Sequence, residues 1–175
     1  MSALDDNLAK LAGYLQRFQT AGIANRIGGE DRPGAAGTFD SISPVDKSVI
    51  CQVAKGSAAD IDRAARAAAD AFVSWRDLPA QERRAILIRI ADGIEARAEE
   101  IALCECSDTG PALTFLSKAA LRGAENSRSF ADPLVQARDG QHLQSPSLTN
   151  VTTRVPTPPA GVITPWNTPF MPSSS

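Results

Sequence analysis

The residues able to do chemistry are few, and most sit in arrangements that do none. His142 is the only histidine, so a Ser-His-Asp site would have to be built on it, and it reads as a loop residue. Cys104 and Cys106 are two apart on a predicted helix, where such residues do not face one another. They therefore make no metal clamp, and no metal site is expected. Cys51 falls in a predicted strand and reads as packing. No P-loop and no G-x-G-x-x-G appears. One segment is different. Pro165-Trp166-Asn167-Thr168-Pro169 follows the short apolar run Gly161-Val162-Ile163-Thr164. Two prolines bracketing a Trp and an Asn make a rigid, non-helical corner. At the C-terminal end of a strand in an open α/β sheet, such a corner lies where ligands bind. The Asn167 amide can donate hydrogen bonds to a developing oxyanion, and Trp166 with the prolines can wall a flat ligand. The competing reading is a structural turn with a packed Trp.

The elements that must position this corner are readable from periodicity. Leu4, Leu8, Leu11, Leu15 and Phe18 predict an amphipathic N-terminal helix packed on the body, ended near Gly22. The stretch from Gly28 to Gly37 lacks a following strong helix and reads as a loop. Residues 38–42 and 49–53 predict a hairpin around the turn Ser43-Pro44-Val45-Asp46-Lys47. Ser57 and Asp60 have capping-box spacing. Ile61, Ala65, Ala68, Phe72 and Trp75 then line one helix face. Pro79 opens the next helix, with Glu82 favouring the positive end of its dipole. Ile86, Ile90, Ile94 and Ile101 continue an apolar face, weakened at Gly93 by about 1 kcal/mol relative to Ala. Asp108-Thr109-Gly110-Pro111 is a stop signal. A further helix is predicted from about Phe115 to Val135, with Leu116, Ala120, Ala124, Phe130 and Leu134 inward.

After Gly140 the period changes. Val151, Thr153 and Val155 alternate as in a half-buried strand, and 161–164 reads as a fully buried one. Seven of the twelve prolines lie between Pro146 and Pro172, so a helical middle gives way to an extended end.

Composition narrows the class. The chain has 175 residues, is 43% hydrophobic and carries a net charge of -2. That length suits one domain, or one domain with an appendage. The charge balance argues against a nucleic-acid surface. No apolar run approaches the ~18 residues that span a bilayer, and no secretory signal is visible at the N-terminus. Three cysteines, an odd and low number, fit reduced thiols and a cytoplasmic location.

The segment Ala160 to Met171 resembles the cofactor-site motif of the aldehyde dehydrogenase superfamily. Ile27-Gly28-Gly29-Glu30, Ser43-Pro44-Val45, Ala58 to Trp75, Leu78 to Arg84 and Asp108-Thr109-Gly110 are similar, in order, to the family's earlier landmarks. The closest flavour is that of semialdehyde dehydrogenases, including hydroxymuconic types. The resemblance implies an α/β fold: the N-terminal portion of an aldehyde dehydrogenase-like chain, helix-rich with β-hairpins and the first strand of an incomplete Rossmann-like sheet. It divides the chain into an N-terminal helix (1–26), a helical part with an early hairpin (27–139), extended strands (140–160) and a first strand with its cofactor corner (161–175).

It also implies chemistry: NAD- or NADP-dependent oxidation of an aldehyde by a cysteine nucleophile and a glutamate base. Asn167 matches the asparagine that helps bind the oxyanion. Ile163, Thr164, Pro165 and Trp166 match positions beside the dinucleotide. The chain departs from the family in lacking the segments that carry the nucleophile, the glutamate base and the adenosine-ribose grip. Thr157-Pro158-Pro159 departs too, because two prolines without amide donors should pair poorly in a strand. The expectation is a truncated, inactive aldehyde dehydrogenase. The alternatives are a non-catalytic subunit that associates with a homologue or a C-terminal chain, and a misfolded relic.

Overall fold

The computed structural model describes residues 2–136, 140 and 142–173. Helix α1 (Ala3–Ala21) opens with a capping box in which the Ser2 hydroxyl and the Asp5 carboxylate satisfy each other's backbone amides. Of its leucine stripe, Leu11, Leu15 and Phe18 are half-buried, while Leu4 and Leu8 stay exposed. The helix therefore docks by its C-terminal two-thirds, and polar contacts add to that docking: Tyr14 donates to Glu99 at 3.2 Å and Arg17 pairs with Glu100. Gly22, at φ 70°, turns the chain so that the Ile23 amide donates to Gln52 O at 2.8 Å.

The stretch expected to be a loop contains a hairpin. Strands β1 (Asn25–Ile27) and β2 (Glu30–Arg32) pair antiparallel across Gly28-Gly29, whose φ angles are 61° and 84°. Positive φ at both central residues is what a two-residue hairpin turn with the correct twist requires, and glycine supplies it without steric cost. Strands β3 (Thr38–Ile42) and β4 (Val49–Ala54) form the predicted hairpin, with a register shift at Ser41/Ile42. Its turn is closed by Asp46, which accepts from the Ser48 amide and hydroxyl. Cys51 is buried on β4, as expected of a packing residue.

Helix α2 (Ala58–Asp77) begins with the capping box at Ser57 and Asp60. Its apolar face is not an inward one. Ile61 is 69% exposed and Ala65 and Ala68 are exposed, while Phe72 is half-buried. Periodicity reports that a face is apolar, not that a partner covers it. Part of the face borders Thr157, Pro158 and Pro159 across a shallow groove.

The core lies among α3 (Ala80–Ala96), α4 (Ala98–Thr109) and α5 (Leu113–Gln136). The expected continuous run from Ile86 to Ile101 is broken at Arg97, at φ -113° and ψ 14°, and α3 and α4 then both pack along α5. Leu116 is fully buried together with Ala102 and Ala120, and Ala98, Ile101, Cys106 and Leu113 pack around them. Alanines at these positions bring helix backbones close. Of the predicted α5 face, Leu116, Ala120 and Ala124 are buried, but Phe130 is exposed. Arg84–Asp132 and Arg128–Asp92 pairs tie α3 to α5 at the surface; exposed pairs of this kind contribute roughly 0–1 kcal/mol each. Gly110 ends α4 in the left-handed conformation, φ 92°, as its Gly-Pro stop predicts.

The C-terminal end departs most from the sequence reading. Strands β5 (His142–Gln144) and β6 (Thr149–Val151) form a short hairpin, which places His142 at a strand start rather than in a loop. Beyond β6 the Thr152 carbonyl still accepts the Gly140 amide at 2.9 Å, but the expected alternation is not half-buried, since Val151, Thr153 and Val155 are all exposed, and 161–164 forms no strand. Ile163 is 98% exposed. An apolar run becomes a buried parallel strand only when neighbouring strands satisfy its backbone groups, and no described segment lies beside it in a ladder. A last short helix, α6 (Phe170–Ser173), follows the corner and packs against α5.

Candidate functional site

The corner is a turn at Trp166, Asn167 and Thr168, entered from extended chain and left through Pro169 into α6. Its five predicted site residues are not gathered around one cavity. Thr164 is half-buried and lines an apolar cleft of about 750 Å³. Ile163, Pro165 and Asn167 are exposed, and Trp166 is 83% exposed.

The cleft runs between α1, the β3–β4 hairpin and α4, with Pro169 and Phe170 at its far side. Its walls include Phe18, Ile42, Ile50 and Ile101. The polar groups along it are mostly engaged. Arg17 and Arg97 both pair with Glu100, whose carboxyl is held below the usual range, chiefly by the Arg97 hydrogen bond. The Ser41 hydroxyl donates to Asp108 at 2.6 Å.

Glu105, on α4, is 7% exposed and lacks a cationic partner among the described residues. Its Oε1 accepts the Phe170 amide at 3.1 Å, whereas its Oε2 is buried without a partner. Burial pushes its carboxyl above the usual carboxylate range; the Phe170 bond opposes this and Asp108 adds to it. Sequence reasoning missed Glu105. The available signal was an acid three residues after Ala102, hence on the same helix face as a core alanine.

None of the three thiols has the environment of a nucleophile. Burial pushes Cys51, Cys104 and Cys106 above the usual thiol range, and the Cys106 thiol donates to Pro111 O at 3.2 Å. A reactive cysteine needs the opposite, an electropositive setting that favours thiolate.

A dinucleotide is matched only in part. Ile163 and Trp166 offer an exposed apolar wall suited to a flat ring. The pyrophosphate finds no such match: the two arginines along the cleft are committed to Glu100, and the first amide of α6 is committed to the anionic Glu105. No helix among them is long and apolar enough to cross a membrane.

Known proteins place this architecture. The model of the aldehyde dehydrogenase family matches residues 32–175. The 2-aminomuconic semialdehyde dehydrogenase of Danio rerio is 35% identical over 150 residues, which cover 85% of this chain and 31% of that protein. The crystal structure of HpcC from Thermus thermophilus superposes with a TM-score of 0.89 at 35% identity, over 95% of this chain and 33% of that one. An indole-3-acetaldehyde dehydrogenase complexed with NAD+ superposes with a TM-score of 0.77 at 35% identity, over 93% of this chain and 34% of that one. The chain spans about a third of the length of each of these three proteins.

Proposed function

The chain belongs to the aldehyde dehydrogenase family, and on that premise we propose that its 175 residues supply the N-terminal part of an NAD- or NADP-dependent aldehyde dehydrogenase. The reaction is oxidation of an aldehyde or semialdehyde to a carboxylic acid, in the cytoplasm. The observation that carries the proposal is the match of the aldehyde dehydrogenase family model to residues 32–175. In this reading Asn167 donates its side-chain amide to the developing oxyanion, a contact whose loss typically costs about 10²–10³ in rate. Ile163, Thr164, Pro165 and Trp166 flank the dinucleotide, which supplies the hydride acceptor.

The 175 residues alone do not turn over in this reading. Their three thiols are not activated, and the dinucleotide has one wall. Purified chain mixed with NAD+ or NADP+ and a panel of aldehydes, semialdehydes included, is expected to give no aldehyde-dependent reduced nucleotide. Sustained turnover would overturn the proposal. A second reading, a non-catalytic subunit that associates with a homologue, draws on the exposure of Val162, Ile163 and Trp166. It requires co-elution with that homologue on size exclusion.

A further inference from the structure

A carboxylate buried in the wall of the apolar cleft without a cation is costly, and Glu105 also leaves one oxygen unpaired. What it makes in return is a single bond, from the Phe170 amide to Oε1 at 3.1 Å. That bond joins two parts of the chain 65 residues apart: α4, part of the packed bundle, and the first residue of α6. Phe170 lies three residues after Asn167. Between them Pro169 has its φ fixed by its ring, which limits how freely the corner can move relative to Phe170. In the rest of the corner Pro165, Trp166 and Asn167 are exposed, and only Thr168 and Pro169 are half-buried.

We propose that Glu105 is a positioning residue, whose carboxylate reaches from the bundle to the Phe170 amide and thereby fixes the orientation of the Asn167 side chain. The bond is charge-assisted, the stronger class of hydrogen bond, and it spends the α6 amide on the protein's own acid instead of on a ligand anion. The catalytic meaning of this orientation rests on the aldehyde dehydrogenase reading; the tether itself does not.

The test uses the 175-residue chain labelled for NMR, with Glu105→Ala, Glu105→Gln, Phe170→Pro and Phe170→Ala. In Glu105→Ala, exchange of the Phe170 amide should accelerate by about tenfold or more, the scale of losing a hydrogen bond to a charged group. The Asn167 side-chain amide resonances should shift, while Leu116 and Ala120 amides keep their protection. Glu105→Gln retains an acceptor of the same reach and should restore the Asn167 resonances and part of the Phe170 protection. Phe170→Pro removes the donor at a first helical position that accepts proline, and Phe170→Ala, which removes the ring but keeps the amide, is its control, so the pair reads the tether even if Glu105→Ala unfolds the bundle. Phe170→Pro should move the Asn167 resonances and raise the titration midpoint of the Glu105 carboxyl carbon. Unchanged Phe170 exchange in a folded Glu105→Ala, Asn167 resonances unmoved in Phe170→Pro, or a Gln variant that behaves as the Ala variant would each overturn the assignment. All these signals are independent of turnover, so a failure of the family reading leaves them standing, and a failure of the tether leaves that reading standing.

Discussion

Truncating Leu116 to alanine tests whether the α3–α4–α5 bundle is the platform that carries the corner. Among the described residues Leu116 is the largest side chain that is fully buried, at 0% exposure. Its fully buried neighbours in the core, Ala102 and Ala120, are themselves alanines. Short side chains on packed helices cannot swing in to fill a void, so most of the cavity should persist. Leu→Ala changes at such sites cost about 3–5 kcal/mol, the part beyond simple transfer growing with the residual cavity. Folded domains have only about 5–15 kcal/mol in total, so much of the margin would go. For a domain of this size each kcal/mol lowers the melting temperature by about 2–4 °C, which gives a drop of roughly 6–20 °C. Urea unfolding followed by far-UV circular dichroism reads the free energy, with Leu8→Ala as the control. Leu8 is exposed, and its truncation should stay within about 0.5 kcal/mol. A Leu116→Ala cost below about 1 kcal/mol, with an unchanged denaturant slope, would refute the bundle as the stabilising core.

Two further outcomes follow from local geometry. Gly110→Ala places a Cβ at φ 92° and 3.2 Å from Pro44 Cγ, so thermal melting should show a loss of about 1–2 kcal/mol from the left-handed backbone alone. Asp60 accepts the Ser57 amide at 2.7 Å, the Ala35 amide at 3.0 Å and the Ser57 hydroxyl, and these bonds, with the Ser57 amide first, lower its carboxyl from 3.8 to about 2. Because the folded-state value lies below the unfolded one, its stabilisation is fully present above 3.8 and is lost as pH falls towards about 2. Urea midpoints measured across that window should fall less steeply in Asp60→Asn than in the parent chain; identical slopes would count against the clamp.

How much of this was legible in the sequence depends on what each signal reports. Local chemistry was legible. The Ser57–Asp60 capping box, the Gly110 stop and the turn at Ser43–Lys47 are set within a few residues, and all form as read. The Gly28-Gly29 hairpin reads as a loop: paired glycines are a turn signal, but the short strands either side carry little pattern of their own. The break at Arg97 has no such marker: Ala96 and Ala98 are good helix formers, and tertiary packing overrides them. Burial was the least legible property. The α2 face at Ile61 and the run at 161–164 are apolar in pattern yet exposed, because burial needs a partner that the pattern does not name. At the site, the proline-bracketed Trp166-Asn167 corner was visible from residue type alone. Glu105 was not, because an acid in a helix ordinarily points to solvent, and its burial and its bond to Phe170 are set by tertiary packing.

Whether the Asn167 corner works as an aldehyde dehydrogenase corner is decided by a chimera. Residues 32–173 would replace the matching segment of the indole-3-acetaldehyde dehydrogenase, and NAD+-dependent oxidation of indole-3-acetaldehyde would be followed by absorbance. The account predicts a folded, active chimera whose kcat falls by about 10²–10³ on Asn167→Ala. A folded chimera with undiminished kcat after Asn167→Ala would contradict it.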